Sequence, residues 1–139
     1  MEPRRASPVT SESGFTLIEL MITMAVVLVA LVGYVAANIA VQQASNAAFQ
    51  NTVALQDANR VIEQMRNTSV GGTFPGNVTA VYPNNGAVAG FNNLTNEAIT
   101  VSYSDATANP LTVTVSVSWL ENGRRNVNTA LRTLITQRS

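Results

Sequence analysis

Apolar residues are concentrated early in this chain. From Leu20 to Gln43 the sequence runs LMITMAVVLVALVGYVAANIAVQQ without a charged residue, and from Phe15 to Ala37 only Glu19 carries a charge. A membrane-spanning helix takes roughly 20 mostly apolar residues, so this block predicts one. No Pro or Gly occurs between Tyr34 and Ser69, which lets the helix continue. Beyond the apolar block the pattern changes: Leu55, Ala58, Ile62 and Met65 recur at three- and four-residue spacing with Val61 beside them. Gln56, Asp57, Arg60, Glu63 and Gln64 fall on the flanks of that stripe. A single helix from Phe15 to about Arg66 follows, roughly 75 Å long at 1.5 Å per residue. Its first half is apolar all round and its second half is amphipathic.

The remainder changes period. Asn67 to Asn96 is dense in Gly, Asn, Thr and Pro and predicts irregular loop, with a short strand at Val78 to Tyr82. Ile99 to Ser104 predicts a strand. Leu111 to Leu120 alternates strictly, with Leu111, Val113, Val115, Val117 and Trp119 on one face and Thr112, Thr114, Ser116 and Ser118 on the other. Asn122-Gly123 supplies a hairpin turn, after which Val127, Leu131 and Ile135 continue the inward face. A sheet of two or three strands cannot hide its apolar face alone, and the stripe at Leu55, Ile62 and Met65 is the helix face available to cover it. The fold class is α+β: a long N-terminal helix packed by its second half on a small antiparallel sheet.

Composition narrows the function. The 139 residues carry eight Arg, no Lys and eight acids, so no basic field exists to attract nucleic acid, and none is expected to bind directly. Charged residues make up 12% of the chain, about half the usual share, as expected of a membrane segment joined to a polar domain. There is no Cys and no His. Their absence removes the commonest general base, the thiol nucleophile and most transition-metal ligands, so no enzyme activity, cofactor, metal or small-molecule substrate is expected. Arg4 and Arg5 precede the apolar block and no base follows until Arg60, which predicts a cytoplasmic N-terminus and an exported remainder. The Arg4-Arg5 pair runs into Ala6-Ser7-Pro8 and does not make a twin-arginine signal.

Directly before the apolar block stands Gly14-Phe15-Thr16-Leu17-Ile18-Glu19-Leu20, and GFTLIEL closely resembles the signature of the type IV pilin-like family. The resemblance is strongest over Gly14 to Val41. It implies that a prepilin peptidase cuts between Gly14 and Phe15, releasing residues 1–14 as a leader, and that the new amine of Phe15 is methylated. Residues 15–41 then form the transmembrane and filament-core helix, and residues 42–139 the periplasmic pilin-like domain. The implied location is the bacterial inner membrane and then a filament. The implied partners are the inner membrane, the peptidase, other pilin or pseudopilin subunits and the assembly platform.

Glu19 carries the physical part of that reading. A carboxylate at the start of a spanning helix is costly in lipid and is kept for function or for a partner charge. Cleavage gives Phe15 an ammonium, whose reference pKa is about 7.7–8.0. The resemblance implies that Glu19 pairs with the Phe15 amine of a neighbouring subunit and so fixes the stagger of otherwise uniform apolar helices. A simpler account places Glu19 at the helix N-terminus, where the macrodipole favours an acid. The two are compatible.

The leader departs from many major pilins in having Ser11-Glu12-Ser13 where a base often stands, and the helix lacks a kinking Pro, leaving Gly33 as its weak point. With no C-terminal Cys pair, a small domain and Trp119 spaced W-x-x-x-G from Gly123, the chain looks more like a minor pilin, PilV-like in kind, or a pseudopilin. The rival readings are a secreted binding domain cleaved after Val35-Ala36-Ala37 and an uncleaved periplasmic anchor. Three triplets that fit the N-glycosylation acceptor pattern, at Asn67, Asn77 and Asn93, are expected by chance in an Asn- and Thr-rich loop. Trp119 is read as core, Arg124 and Arg125 as a solvated turn pair, and Asp105 with Asn109 as too few ligands for calcium.

Overall fold

A computed structural model of the chain describes residues 15–137. Residues 1–14, the expected leader with Arg4, Arg5 and Gly14, lie outside the described residues, as do residues 138–139. The chain divides into two compact units between Gln42 and Gln43. Helix α1 runs from Leu17 to Thr68, close to the span its periodicity predicts.

In the first unit every described residue of α1 is exposed. Two polar residues there are satisfied within the helix. The Thr23 hydroxyl donates to the carbonyls of Leu20 (2.9 Å) and Glu19 (3.0 Å), and the Asn38 amide donates to the Tyr34 carbonyl at 3.0 Å. Such back-bonding lets a polar side chain sit in an apolar helix without seeking water.

The second unit holds the rest of α1, helix α2 (Gly76–Val81) and four strands: β1 (Gly86–Val88), β2 (Ala98–Tyr103), β3 (Leu111–Glu121) and β4 (Arg125–Ile135). The strands form one antiparallel sheet in sequence order, β1-β2-β3-β4. Leu111, Val113, Val115, Val117 and Trp119 are all buried, as their alternation requires. They meet Ala54, Ala58, Val61, Ile62 and Met65 of α1 in one core with Ile99 and Val101 of β2. The Trp119 indole N–H donates to the Gln50 side-chain carbonyl at 3.2 Å, so the one polar atom of that ring has a partner on the helix. At the hairpin Asn122 and Gly123 take φ of 50° and 67°, and the Arg124 N–H donates to the Glu121 carbonyl at 3.0 Å. Both residues tolerate positive φ, which is why this dipeptide turns the chain.

Four details differ from the expectation. The sheet has four strands rather than two or three, because Gly86–Val88 inside the supposed loop pairs with Ile99 to Val101. Val78 to Tyr82 is not a strand: Gly76–Val81 is a helical turn, with the Val78 and Thr79 N–H groups donating to the Pro75 carbonyl at 3.0 Å. Only Val78 of that stretch is buried, and one inward residue per turn suits a helix. On α1 the buried stripe passes through Ala54 rather than Leu55, which is half-buried. Asp57, placed on the wet flank by type, is buried at 5% exposure.

Asp57 is buried because a distant loop completes it. The Asn93 amide donates to both its carboxylate oxygens, at 3.0 and 2.9 Å. Glu97 then accepts the backbone N–H groups of Asn93 (2.8 Å) and Leu94 (3.2 Å), holding the loop while Leu94 enters the core. A buried carboxylate without such donors would cost several kcal/mol, roughly, so loop and helix fold as one piece. The same bonds occupy the Asn93 amide nitrogen. That of Asn77 is likewise engaged, donating to the carbonyls of Thr68 and Gly71. Two of the three acceptor triplets thus use their amides structurally.

Candidate processing and assembly site

Three sequence-predicted residues form the candidate site: Gly14, Phe15 and Glu19. Gly14 lies outside the described residues. Phe15 and Thr16 precede the helix and Glu19 falls in its first turn. Thr16 is the cap: its carbonyl accepts from the N–H groups of Glu19 (3.1 Å) and Leu20 (3.2 Å), and its hydroxyl accepts from Glu19 N–H at 3.4 Å. Thr16-Leu17-Ile18-Glu19 has the spacing of a capping box, a signal the sequence reading passed over. Only half the box is made, because the Glu19 carboxylate does not return a bond to the cap.

That carboxylate makes no hydrogen bond or ion pair among the described residues. It is the single charged side chain in the apolar half of α1. Around it Phe15 is 76% exposed and Leu17 82% exposed, so the helix start offers a free acid ringed by bare apolar surface. Helix N-terminal partial charge favours an acid there, but only modestly, by about 0.3–1 kcal/mol at an exposed site. In lipid a full partner charge is worth more.

The apolar half carries a second feature that the sequence reading did not use. Ala30, Gly33, Ala37, Ala40, Ala44 and Ala47 recur at alternating three- and four-residue steps. This heptad-like line of small side chains lets another helix approach closely, which is how helices associate where lipid offers no hydrophobic contrast. Gly33 has open space around its Cβ position, so no contact within the chain demands a glycine there.

Elsewhere, the polar groups noted from sequence have local partners. Arg125 pairs with Glu121, with Nη2 at 2.5 Å and Nε at 2.9 Å. Asp105 accepts from the Thr107 N–H (2.9 Å) and hydroxyl (2.7 Å), bonds that hold its carboxyl below the usual carboxylate range.

The prokaryotic N-terminal methylation motif matches residues 10–35. The matched span contains Gly14, Phe15, Glu19 and most of the apolar part of α1. No curated protein and no solved structure matches the chain. The methylation motif, the apolar helix that follows it and the helix-on-sheet fold support a type IV pilin-like protein. The helix is long and apolar enough to cross a membrane.

Proposed function

We propose that the chain is a type IV pilin-like structural subunit, of the minor pilin or pseudopilin kind, built into a pilus or a secretion pseudopilus. Prepilin peptidase removes residues 1–14 by cutting after Gly14, and the amine left on Phe15 is methylated. The subunit waits in the inner membrane with residues 15–41 across the bilayer and residues 42–139 in the periplasm. The assembly platform then moves it into a filament, where apolar helices of neighbouring pilins pack along the small-residue line. Glu19 pairs with the Phe15 ammonium of an adjacent subunit and sets the axial stagger.

The observation that carries this reading is the free Glu19 carboxylate in the otherwise uncharged, exposed apolar half of α1, inside the span that the methylation motif matches. The helix terminus favours an acid in that place only modestly, and a partner cation stabilises it far more in lipid. Cleavage creates that cation.

Mass spectrometry of the mature N-terminus tests the processing step. A methylated Phe15 is expected. A first residue of Asn38 would make the protein a secreted domain, and an intact Met1 would make it an anchored one. Glu19→Leu tests the register step separately: the processed subunit is expected to accumulate in membranes and to vanish from sheared filaments. Normal assembly of that variant would remove Glu19 from the mechanism.

A further inference from the structure

The chain contains two Asn-Gly pairs, Asn85-Gly86 and Asn122-Gly123, and the fold holds them differently. Asparagine followed by glycine is open to an internal reaction. The glycine nitrogen attacks the asparagine side-chain carbonyl carbon, and no Cβ on the glycine blocks the approach. Both asparagines are exposed and both take positive φ, at 58° for Asn85 and 50° for Asn122. On the side of the group under attack the two pairs are alike.

They differ at the attacking nitrogen. The Gly86 N–H donates to the Pro83 carbonyl at 2.8 Å, and Gly86 pairs with Val101 at the start of β1. Space is closed there too: a Cβ at Gly86 would fall 2.7 Å from the Pro83 carbonyl oxygen. Swinging that nitrogen onto the Asn85 side chain gives up the bond and opens the end of the strand. Gly123 has neither restraint. Its N–H makes no hydrogen bond among the described residues, and beyond its chain neighbours no atom lies within 4 Å of its Cβ position. The turn is closed instead by the Arg124 N–H on the Glu121 carbonyl, and Asn122, Gly123 and Arg124 are all exposed.

We infer that Asn122 is a site of spontaneous covalent modification, converting to isoaspartate and aspartate, while the fold protects Asn85. Hydroxide takes the Gly123 N–H proton, and the nitrogen attacks Cγ of Asn122 to close a succinimide ring. The side-chain nitrogen leaves as ammonia, taking its proton from water. Water then adds to one of the two ring carbonyls. Breaking the bond between Cγ and the Gly123 nitrogen gives aspartate; breaking the bond between that nitrogen and the Asn122 backbone carbonyl gives isoaspartate, whose chain runs through the former side chain. Either product puts a carboxylate where a neutral amide stood and lowers the net charge of zero by one. That charge arrives beside Arg124, on the rim of a hollow of about 200 Å³ that Asn122 shares with Asn46, Gln50 and Thr95. Isoaspartate also lengthens the backbone of the turn, against the Glu121–Arg125 pairing that closes the hairpin.

The inference stands apart from the pilin reading and is tested on purified full-length protein in detergent. The protein is aged warm at mildly alkaline pH and then digested with pepsin in acid, which stops the reaction. Tandem mass spectrometry with electron-transfer fragmentation separates isoaspartate from aspartate. Asn122 is expected to convert at least about tenfold faster than Asn85, a ratio that one backbone hydrogen bond is enough to set. Both products should appear, and the rate should rise with pH. In urea, where the fold is lost, the two sites should convert at similar rates. Asn122→Ser should remove the main acidic species that ageing produces on ion exchange. Equal rates in the folded protein, a ratio that survives in urea, aspartate without isoaspartate, or an Asn122 that stays an amide would each overturn the inference.

Discussion

The two parts of α1 obey different solvents. From Leu17 to Gln42 the helix leaves every residue exposed, though most are apolar; from Gln43 to Thr68 it buries Ala54, Asp57, Ala58, Val61, Ile62 and Met65 in a core made with the sheet. The backbone is helical in both, so propensity does not distinguish them. What differs is where the apolar area goes: the second part is covered by its own chain, and the first has only lipid or other helices to cover it. Substitutions should therefore separate cleanly into those that unfold the domain and those that affect only insertion or assembly.

The largest separation is expected between Trp119→Ala and Leu28→Ala. Trp119→Ala empties the core beside α1 and strands the Gln50 carbonyl, and should cost about 3–5 kcal/mol of domain stability. Leu28→Ala should leave the domain's unfolding midpoint within about 0.5 kcal/mol of the parent. Thermal melts of both full-length proteins in the same detergent make the comparison, and a shift of equal size in the two would break the division drawn here.

A smaller effect is expected at the loop clamp. Asn93→Ala leaves the Asp57 carboxylate buried without its donor, for a loss of about 1–3 kcal/mol. Asn93→Ala combined with Asp57→Leu should recover much of it in the same melts, since no unpaired carboxylate is then buried. An additive double variant would show that the pair is not coupled.

Alkaline pH offers a milder probe of the same domain. The Tyr103 hydroxyl donates to the Tyr82 carbonyl at 2.6 Å, and burial, with Tyr82 nearby, pushes its pKa up to about 12. The folded state then holds a proton that the unfolded chain releases near pH 10, so stability is intact below pH 10 and falls as pH rises towards about 12. Tyr103→Phe should flatten that decline in pH-dependent melts, and an unchanged slope would place the effect elsewhere. The smallest change concerns the other part of the helix. Gly33→Ala should add up to about 1 kcal/mol of helix propensity with no measurable change in domain melting, readable as a rise in helical circular dichroism of a peptide covering the apolar segment.

Much of this organisation was legible in the residues. A charge-free run, an unbroken helical stretch to about Arg66, the strict alternation from Leu111 to Leu120 and Asn122-Gly123 are local signals, and each element formed close to where its pattern put it. Glu19 was legible for the same reason: one acid in an apolar run is conspicuous whatever the fold. The misses share a different cause. Gly86–Val88 is too short to show a period and is a strand because Ile99 to Val101 pairs with it. Gly76–Val81 has β-branched residues but no strand to pair with, and closes instead on the Pro75 carbonyl.

The sequence by itself determined the long helix, its division into an apolar and an amphipathic part, the hairpin and the acid at the helix start, because these depend on residues a few positions apart. Tertiary structure alone decided that Asp57 is buried and that a fourth strand completes the sheet. Those outcomes join groups tens of residues apart, such as Asp57 and Asn93, and the free energy that settles them arises only once the chain has brought the groups together.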